Sequence, residues 1–167
     1  QQVSSAASDV YKRQRQSCMT ADIGYYVDSI GSPSQTKCLP GKYNPDQSAT
    51  SVDACIDAEP GFYVQTTTSG AGSQTPCSAG TYQAAFGMTE CTDAEEGYFV
   101  DTTQAATPTP CEAGTYQPST GQVSCLDAGD GHYVAGTGQS EHTPCPVGTY
   151  QPNVGSTTCI DADPGYF

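Results

Sequence analysis

Tryptophan is absent from this sequence, methionine occurs twice, and lysine and arginine together number only five among 167 residues. Hydrophobic residues make up 35% of the chain, below the roughly 45–50% of ordinary globular domains, a reference that also counts glycine. No apolar run approaches the ~20 residues that cross a bilayer as a helix. A single large core is therefore not expected, and neither is a membrane-spanning segment in this chain.

Two further absences concern partners and modification. The formal net charge is −13 at pH 7, so the surface repels nucleic acid and anionic lipid, and no nucleic-acid partner is expected. Neither asparagine lies in an N-x-[ST] sequon, because Pro45 follows Asn44 and Gly155 stands two residues after Asn153. N-linked glycan is therefore not expected.

The chain has nine cysteines in place of a large core. Persistent cross-links supply stability where burial is insufficient, and they require an oxidising compartment. We therefore expect an extracellular or cell-surface protein.

The cysteines repeat with a period of 34 residues. Three openers begin C-S-A-G-T-Y-Q, C-E-A-G-T-Y-Q and C-P-V-G-T-Y-Q at Cys77, Cys111 and Cys145, and three closers stand at Cys91, Cys125 and Cys159. A looser copy opens at Cys38 and closes at Cys55. Self-similarity at this period indicates a linear array of units that are each too small to bury a core alone.

The amino-terminal segment has another origin. Residues 4–14 resemble the in-frame translation of a transposase sequencing adapter, and an opener is missing where this string lies. Cys18 is a closer whose partner is lost, and Lys12 and Arg13 are not a recognition patch. We expect a fragment of a longer repeat protein that begins and stops within a repeat.

The boundaries follow from the cysteines. We expect the adapter segment and a linker at 1–17, partial repeats at 18–37 and 145–167, and full repeats at 38–76, 77–110 and 111–144.

Within a unit the residues favour short strands. Gly114–Gln117 and Gly131–Val134 carry aromatic and β-branched residues, and they flank an acidic turn that begins at Leu126. The polar stretch that ends each unit reads as a solvent-facing loop. The predicted fold is all-β, with small disulfide-rich tandem repeats of about 34 residues stacked into an elongated rod.

Two pairings of the cysteines fit such a ladder. Opener-to-closer pairing leaves Cys18 alone, and closer-to-next-opener pairing leaves Cys159 alone. Loop entropy does not decide between them, because a bridge contributes roughly 3 kcal/mol with only logarithmic dependence on loop length.

The pattern C-x-x-G-T-Y with a cysteine about fourteen residues later resembles tumour-necrosis-factor-receptor-like repeats, and it is similar to the ephrin-receptor-like cysteine-rich repeat. The resemblance covers about half of each unit. The residues that carry it are Cys77, Gly80, Tyr82 and Cys91, Cys111, Gly114, Tyr116 and Cys125, Cys145, Gly148, Tyr150 and Cys159, and, with three extra residues, Cys38, Gly41, Tyr43 and Cys55. It implies opener-to-closer bridges and an elongated extracellular rod.

Acidic turns are the first candidate sites. Their carboxylates are Asp57, Glu59, Asp93, Glu95, Glu96, Asp127, Asp130, Asp161 and Asp163. Ca²⁺ takes about six to eight oxygen ligands, whereas each turn supplies two or three, so we expect solvated turns and no cofactor, with Ca²⁺ as the only candidate.

Threonine-rich loops are the second candidate. Threonine beside proline on secreted proteins is a common O-glycan acceptor, and an unmodified polar loop is the alternative. The candidates are Thr66, Thr67, Thr68, Thr102, Thr103, Thr107 and Thr109.

No enzyme is expected. His132 and His142 occur in one unit only and lack a zinc-type spacing with cysteine. The paired carboxylates have no expected cleft to serve.

The expected function is structural: a stalk, sheath or filament outside the cell that associates end to end or continues into further repeats, with glycan on its loops. The alternative is a receptor or adhesin ectodomain that presents a protein-binding or glycan-binding face, which predicts loops that differ between units.

Overall fold

The computed structural model describes residues 20–65 and 69–165. The adapter-like residues 4–14, Cys18 and the candidates Thr66, Thr67 and Thr68 lie outside the described residues. Within the described ranges the chain forms antiparallel hairpins of two-residue strands and one short 3₁₀ helix, and it has no α-helix. The predicted all-β fold of small disulfide-rich repeats is confirmed.

Each hairpin joins two strands that are consecutive in the chain. The hairpins pair β1 (Tyr25–Tyr26) with β2 (Thr36–Lys37), β3 (Lys42–Tyr43) with β4 (Ile56–Asp57), β5 (Phe62–Tyr63) with β6 (Thr75–Pro76), β7 (Thr81–Tyr82) with β8 (Thr92–Asp93), β9 (Tyr98–Phe99) with β10 (Thr109–Pro110), β11 (Thr115–Tyr116) with β12 (Leu126–Asp127), β13 (His132–Tyr133) with β14 (Thr143–Pro144), and β15 (Thr149–Tyr150) with β16 (Ile160–Asp161).

The 34-residue unit contains two of these hairpins. Thr143–Pro144, at the end of a polar stretch expected to be a loop, is strand β14, and Leu126–Asp127, expected in a turn, is strand β12. The expectation of loop and turn was wrong at these positions, because each segment pairs with the strand that begins its own hairpin.

Four bridges close alternate hairpins. They join Cys38 to Cys55, Cys77 to Cys91, Cys111 to Cys125 and Cys145 to Cys159, which are the opener-to-closer pairs that the resemblance implies. We call β3–β4, β7–β8, β11–β12 and β15–β16 the cross-linked hairpins, and the other four the open hairpins.

Every hairpin begins after a glycine with positive φ, which we call a turn glycine. At Gly114, φ is +91° and the amide N–H of Thr115 donates to the Glu112 carbonyl at 3.0 Å. Glycine at the third position of such a turn adopts a backbone conformation that other residues adopt only with strain. The turn glycines are Gly24, Gly41, Gly61, Gly80, Gly97, Gly114, Gly131 and Gly148.

The first cross-linked loop is longer than the others. Its extra residues include the 3₁₀ helix η1 (Val52–Ala54), which Ser51 caps by accepting the Asp53 N–H at 3.1 Å. The three extra residues are thus absorbed inside the bridge, and the strand pairing that follows is preserved.

Backbone hydrogen bonds join each hairpin to the next. The Gly97 N–H donates to the Gln117 carbonyl at 2.8 Å, and the Gly114 N–H donates to the Val134 carbonyl at the same distance. In return, the Gly121 N–H in the loop of β11–β12 donates to the Ala94 carbonyl of the hairpin before it at 2.8 Å. Because these bonds recur along the chain, the hairpins form a linear stack.

Contacts also reach two hairpins ahead. A Cβ placed on Gly114 would lie 2.2 Å from the Gly155 carbonyl oxygen, and one placed on Gly80 would lie 2.4 Å from that of Gly121. These glycines therefore allow a close backbone approach that any larger residue would block.

The buried core is a narrow file of small side chains. Around each turn glycine, the residue three positions before it is cysteine or alanine, and the residue three positions after it is glutamine, asparagine or valine. The buried members are Ala21, Cys38, Asn44, Ala58, Val64, Cys77, Gln83, Ala94, Val100, Cys111, Gln117, Ala128, Val134 and Gln151. A file this thin stabilises the chain only in combination with cross-links and backbone pairing.

Candidate functional surface

A buried amide closes three of the cross-linked hairpins from within. Nε2 of Gln117 donates to the Ser124 carbonyl at 2.7 Å, just before Cys125, and its Oε1 accepts the Ser119 N–H at 3.1 Å. Gln83 and Gln151 make the same two bonds in their own hairpins. In the open hairpins valine takes this position, as at Val100 and Val134.

Gln117→Val is therefore expected to lower the free energy of unfolding by about 1–3 kcal/mol, since the Ser124 carbonyl and the Ser119 N–H both lose a partly buried hydrogen bond. Thermal unfolding with the bridges intact measures the loss, and hydrogen exchange should become faster at the Ser119 amide. Gln122→Ala is the matched control: Gln122 is exposed and donates only to the neighbouring Thr120 carbonyl, so its effect should stay within about 0.5 kcal/mol. Equal effects from both variants would contradict this role for the buried amide.

The open hairpins use other groups where the cross-linked hairpins have the closing cysteine. Gln74 occupies that position in β5–β6, where its Oε1 accepts the Glu59 N–H at 2.7 Å and its Nε2 donates to Glu59 Oε2 at 3.2 Å. Gln35 bonds Asp22 in the same way in β1–β2. A pair of side-chain hydrogen bonds thus replaces the disulfide in these two hairpins. This role was not predicted from the sequence. The sequence does contain a signal for this role: Gln35 and Gln74 stand at the same distance before the next turn glycine as the closing cysteines do.

Histidine takes this position in one hairpin. The His142 ring stacks on His132, with centroids 4.1 Å apart, and on Tyr116 at 4.7 Å. His132 Nδ1 lies 3.0 Å from the Asp130 carbonyl oxygen, and His142 Nδ1 is buried without a hydrogen-bond partner. The corresponding residue is Gln74 or Pro108 in the neighbouring open hairpins, so this aromatic stack distinguishes one unit from the others.

The predicted carboxylates are divided between strands and turns. Asp57, Asp93, Asp127 and Asp161 are exposed at the ends of the second strands of cross-linked hairpins. Glu59, Glu95, Asp130 and Asp163 are exposed in the segments that follow. Over residues 20–65 and 69–165, no group of three or more His, Cys, Asp or Glu side chains is placed to hold a metal ion.

One of these carboxylates has a basic partner. Lys42 Nζ lies 2.6 Å from Asp57 Oδ1 across hairpin β3–β4, with the two side chains 33% and 50% exposed. An ion pair in this much solvent contributes at most about 1 kcal/mol. The matching positions opposite Asp93 and Asp127 are Thr81 and Thr115.

A repeating surface is formed by the second strands of the hairpins. We call it the exposed ladder, and both residues of each strand are exposed. Its members are Thr36–Lys37, Ile56–Asp57, Thr75–Pro76, Thr92–Asp93, Thr109–Pro110, Leu126–Asp127, Thr143–Pro144 and Ile160–Asp161. Of the threonine candidates, Thr109 lies in the exposed ladder, while Thr102, Thr103 and Thr107 are exposed in the loop before it.

A cavity of about 360 Å³ lies at the amino-terminal end of the described chain. The described residues that line it include Ala21, Val27 and Ile30 and several serines and threonines, and Asp28 is the only charged residue among them. None of the predicted site residues that the structure describes lines it.

Within residues 20–65 and 69–165, no helix has the length and apolar character needed to cross a bilayer.

Comparison with known proteins agrees with the motif resemblance. The family model for the tyrosine-protein kinase ephrin type A/B receptor-like repeat matches residues 97–141 and again 131–161. The two matches begin at Gly97 and Gly131, which are turn glycines one 34-residue unit apart. The resemblance to ephrin-receptor-like repeats is thereby confirmed. No curated protein matches the chain.

The matched repeats and the four bridges point to an extracellular or cell-surface location. The matched family is a receptor-like extracellular repeat, and such repeats are typically non-enzymatic.

Proposed function

We propose that this protein is a structural element outside the cell, a stalk or filament built from a continuous stack of cross-linked and open hairpins. The observation that carries the proposal is the backbone hydrogen bond that each turn glycine from Gly24 to Gly131 donates to the next hairpin. A stack in which every unit bonds its neighbour resists extension, because pulling must break backbone hydrogen bonds in each unit, and the disulfide bridges limit how far each unit can extend.

We propose that further units join the stack at Gly148. Among the described residues no atom lies within 4 Å of a Cβ placed on Gly148, whereas a Cβ on Gly114 faces a loop carbonyl, and both Gly148 and Val147 are exposed. A hairpin of the same kind, from this chain or from another copy, has the backbone groups that fit this end. Association of this kind is heterologous and does not close, so it yields a filament.

Gly148→Ala tests this association. A Cβ on Gly148 meets no atom of the described residues within 4 Å, but it would block an approaching loop as it would at Gly114. We expect the purified wild-type chain to form filaments in electron micrographs at high concentration, and the variant to remain as short rods.

Gly136→Ala is the control for that experiment, since Gly136 has no positive φ and only the Gln139 side chain lies near it. Filaments of both variants, or isolated rods of the wild-type chain in native material, would contradict assembly through this end.

The family match favours a second candidate, a receptor or adhesin ectodomain. A binding face needs features that differ between units, and the stack of His142, His132 and Tyr116 occurs in one unit only. Isolated rods that retain a protein or glycan ligand through that unit would support this candidate over the filament.

A further inference from the structure

The strand threonines fall into two classes. In the first strands of the cross-linked hairpins, Thr81, Thr115 and Thr149 are half-buried, and each hydroxyl donates to the carbonyl three residues earlier at 2.8–2.9 Å. These hydroxyls are already used within the turn that starts the hairpin.

Three threonines of the exposed ladder differ both in burial and in the use of their hydroxyl. Thr75, Thr109 and Thr143 are exposed, and across the described part of the chain their hydroxyls make no hydrogen bond. The three occupy the same place in successive open hairpins, in the sequence T-P that ends each unit directly before the opening cysteine of the next.

Proline after each of these threonines holds the acceptor in an extended conformation. A residue before proline is biased towards β or polyproline II geometry, and each threonine lies in a strand. Peptide-modifying enzymes commonly bind extended segments, and threonine beside proline is a common O-glycan context on secreted proteins.

The partner across each strand is aromatic. Thr75 pairs with Tyr63, Thr109 with Phe99, and Thr143 with Tyr133. Cross-strand partners share a face of the hairpin, with Cβ atoms about 4.5–5.5 Å apart. A sugar on the threonine would therefore have an aromatic ring beside it on which its C–H groups can pack.

The cross-linked hairpins supply a natural comparison. Thr92 lies at the same strand position and is exposed, but Asp93 follows it instead of proline, and its cross-strand partner is Tyr82. Exposure and an aromatic partner are thus common to both hairpin types, and the following proline distinguishes Thr75, Thr109 and Thr143 from Thr92.

We propose that Thr75, Thr109 and Thr143 are O-glycosylation sites for a transferase that uses a nucleotide-activated N-acetylhexosamine. The threonine Oγ1 forms a bond to the sugar C1, the bond from C1 to the diphosphate breaks, and the nucleoside diphosphate leaves with its electron pair. The hydroxyl proton passes to a base of the transferase. The assignment rests on the proposed extracellular location, and it places a sugar on every open hairpin from β5–β6 to β13–β14.

The test uses the full chain with its bridges formed, a purified mucin-type transferase and uridine-diphosphate N-acetylgalactosamine. Peptide mapping with electron-transfer fragmentation then measures the occupancy of each threonine. We expect Thr75, Thr109 and Thr143 to be at least about tenfold more occupied than Thr92 and Thr115. Occupancy no higher than at Thr92, or modification only after reduction and alkylation of the bridges, would overturn the proposal.

Pro110→Asp gives a matched variant, because it copies the Thr92–Asp93 sequence into an open hairpin. Occupancy at Thr109 should fall at least about tenfold, while Thr75 and Thr143 keep theirs as internal controls in the same molecule. Unchanged occupancy at Thr109 would count against the proposal. Filament formation by the unmodified chain is scored separately, so a failure of the structural function and a failure of this assignment are distinguishable.

Discussion

Gly114→Ala is expected to lower the free energy of unfolding by about 2–5 kcal/mol. Two costs add: a non-glycine residue at φ +91° costs about 1–2 kcal/mol, and forcing apart packed backbone costs about 1–3 kcal/mol. The added Cβ would stand 2.2 Å from the Gly155 carbonyl oxygen, and backbone cannot swing aside as a side chain can. Urea unfolding followed by circular dichroism measures the loss.

Two neighbouring glycines separate these costs. Gly131 has φ +73°, but across the part of the chain that the structure describes no atom lies within 4 Å of an added Cβ, so Gly131→Ala should show only the conformational cost of about 1–2 kcal/mol. Gly129 has neither a positive φ nor a close neighbour, so Gly129→Ala should be almost neutral. If Gly114→Ala were no worse than Gly131→Ala, the contact with the hairpin two places ahead in the stack would contribute nothing to stability.

The second large effect is expected from removal of one bridge. The double variant Cys111→Ala, Cys125→Ala opens a loop of sequence separation 14, and about 3 kcal/mol of stability should be lost. Alanine is the suitable replacement at Cys111 because Ala94 and Ala128 occupy the equivalent buried position in the neighbouring open hairpins. The remaining loss therefore reports mainly on the cross-link rather than on a cavity.

Hydrogen exchange should locate the effect of the missing bridge. Amides of β11–β12 and of the hairpins that bond to it, such as Gly97 and Gly121, should exchange faster. The Gly41 amide, which donates to Val64 near the other end of the described chain, is the internal control. Uniform acceleration along the chain would contradict a stack stabilised unit by unit, and would indicate a single cooperative structure instead.

Particular residues show how far the sequence could be interpreted. The cysteine and glycine spacings were sufficient to predict a linear array of small β units, since no other feature of the composition provides stability. The subdivision into hairpins was missed, although Gly97 and Gly114 follow Gly80 at equal intervals. The residue three positions before a turn glycine is alanine in some hairpins and cysteine in others, and these residue types do not suggest equivalent positions. The equivalence is visible only in the structure, where carbonyls of both types accept a hydrogen bond from the loop of the next hairpin.

Some of the site residues could be recognised from the sequence, and others only from the structure. Thr109 was a candidate from its proline neighbours alone, whereas Thr75 and Thr143 became candidates only when their strands were seen to be exposed and equivalent. No role was assigned to Gln117 or Gln74 from the sequence. Their roles depend on which carbonyl or amide lies opposite, and residue type does not specify that.

By itself the sequence determined the composition of the stack: bridges instead of a large core, an acidic surface, and a glycine before the first strand of each hairpin. Those properties reside in single residues and their spacing, so they can be recognised without a structure. The tertiary structure alone decided which hydroxyls are used in turns, which amides close a hairpin, and which carbonyl lies against Gly114. These outcomes depend on hydrogen bonds between successive hairpins, whose partners are set by how the units stack.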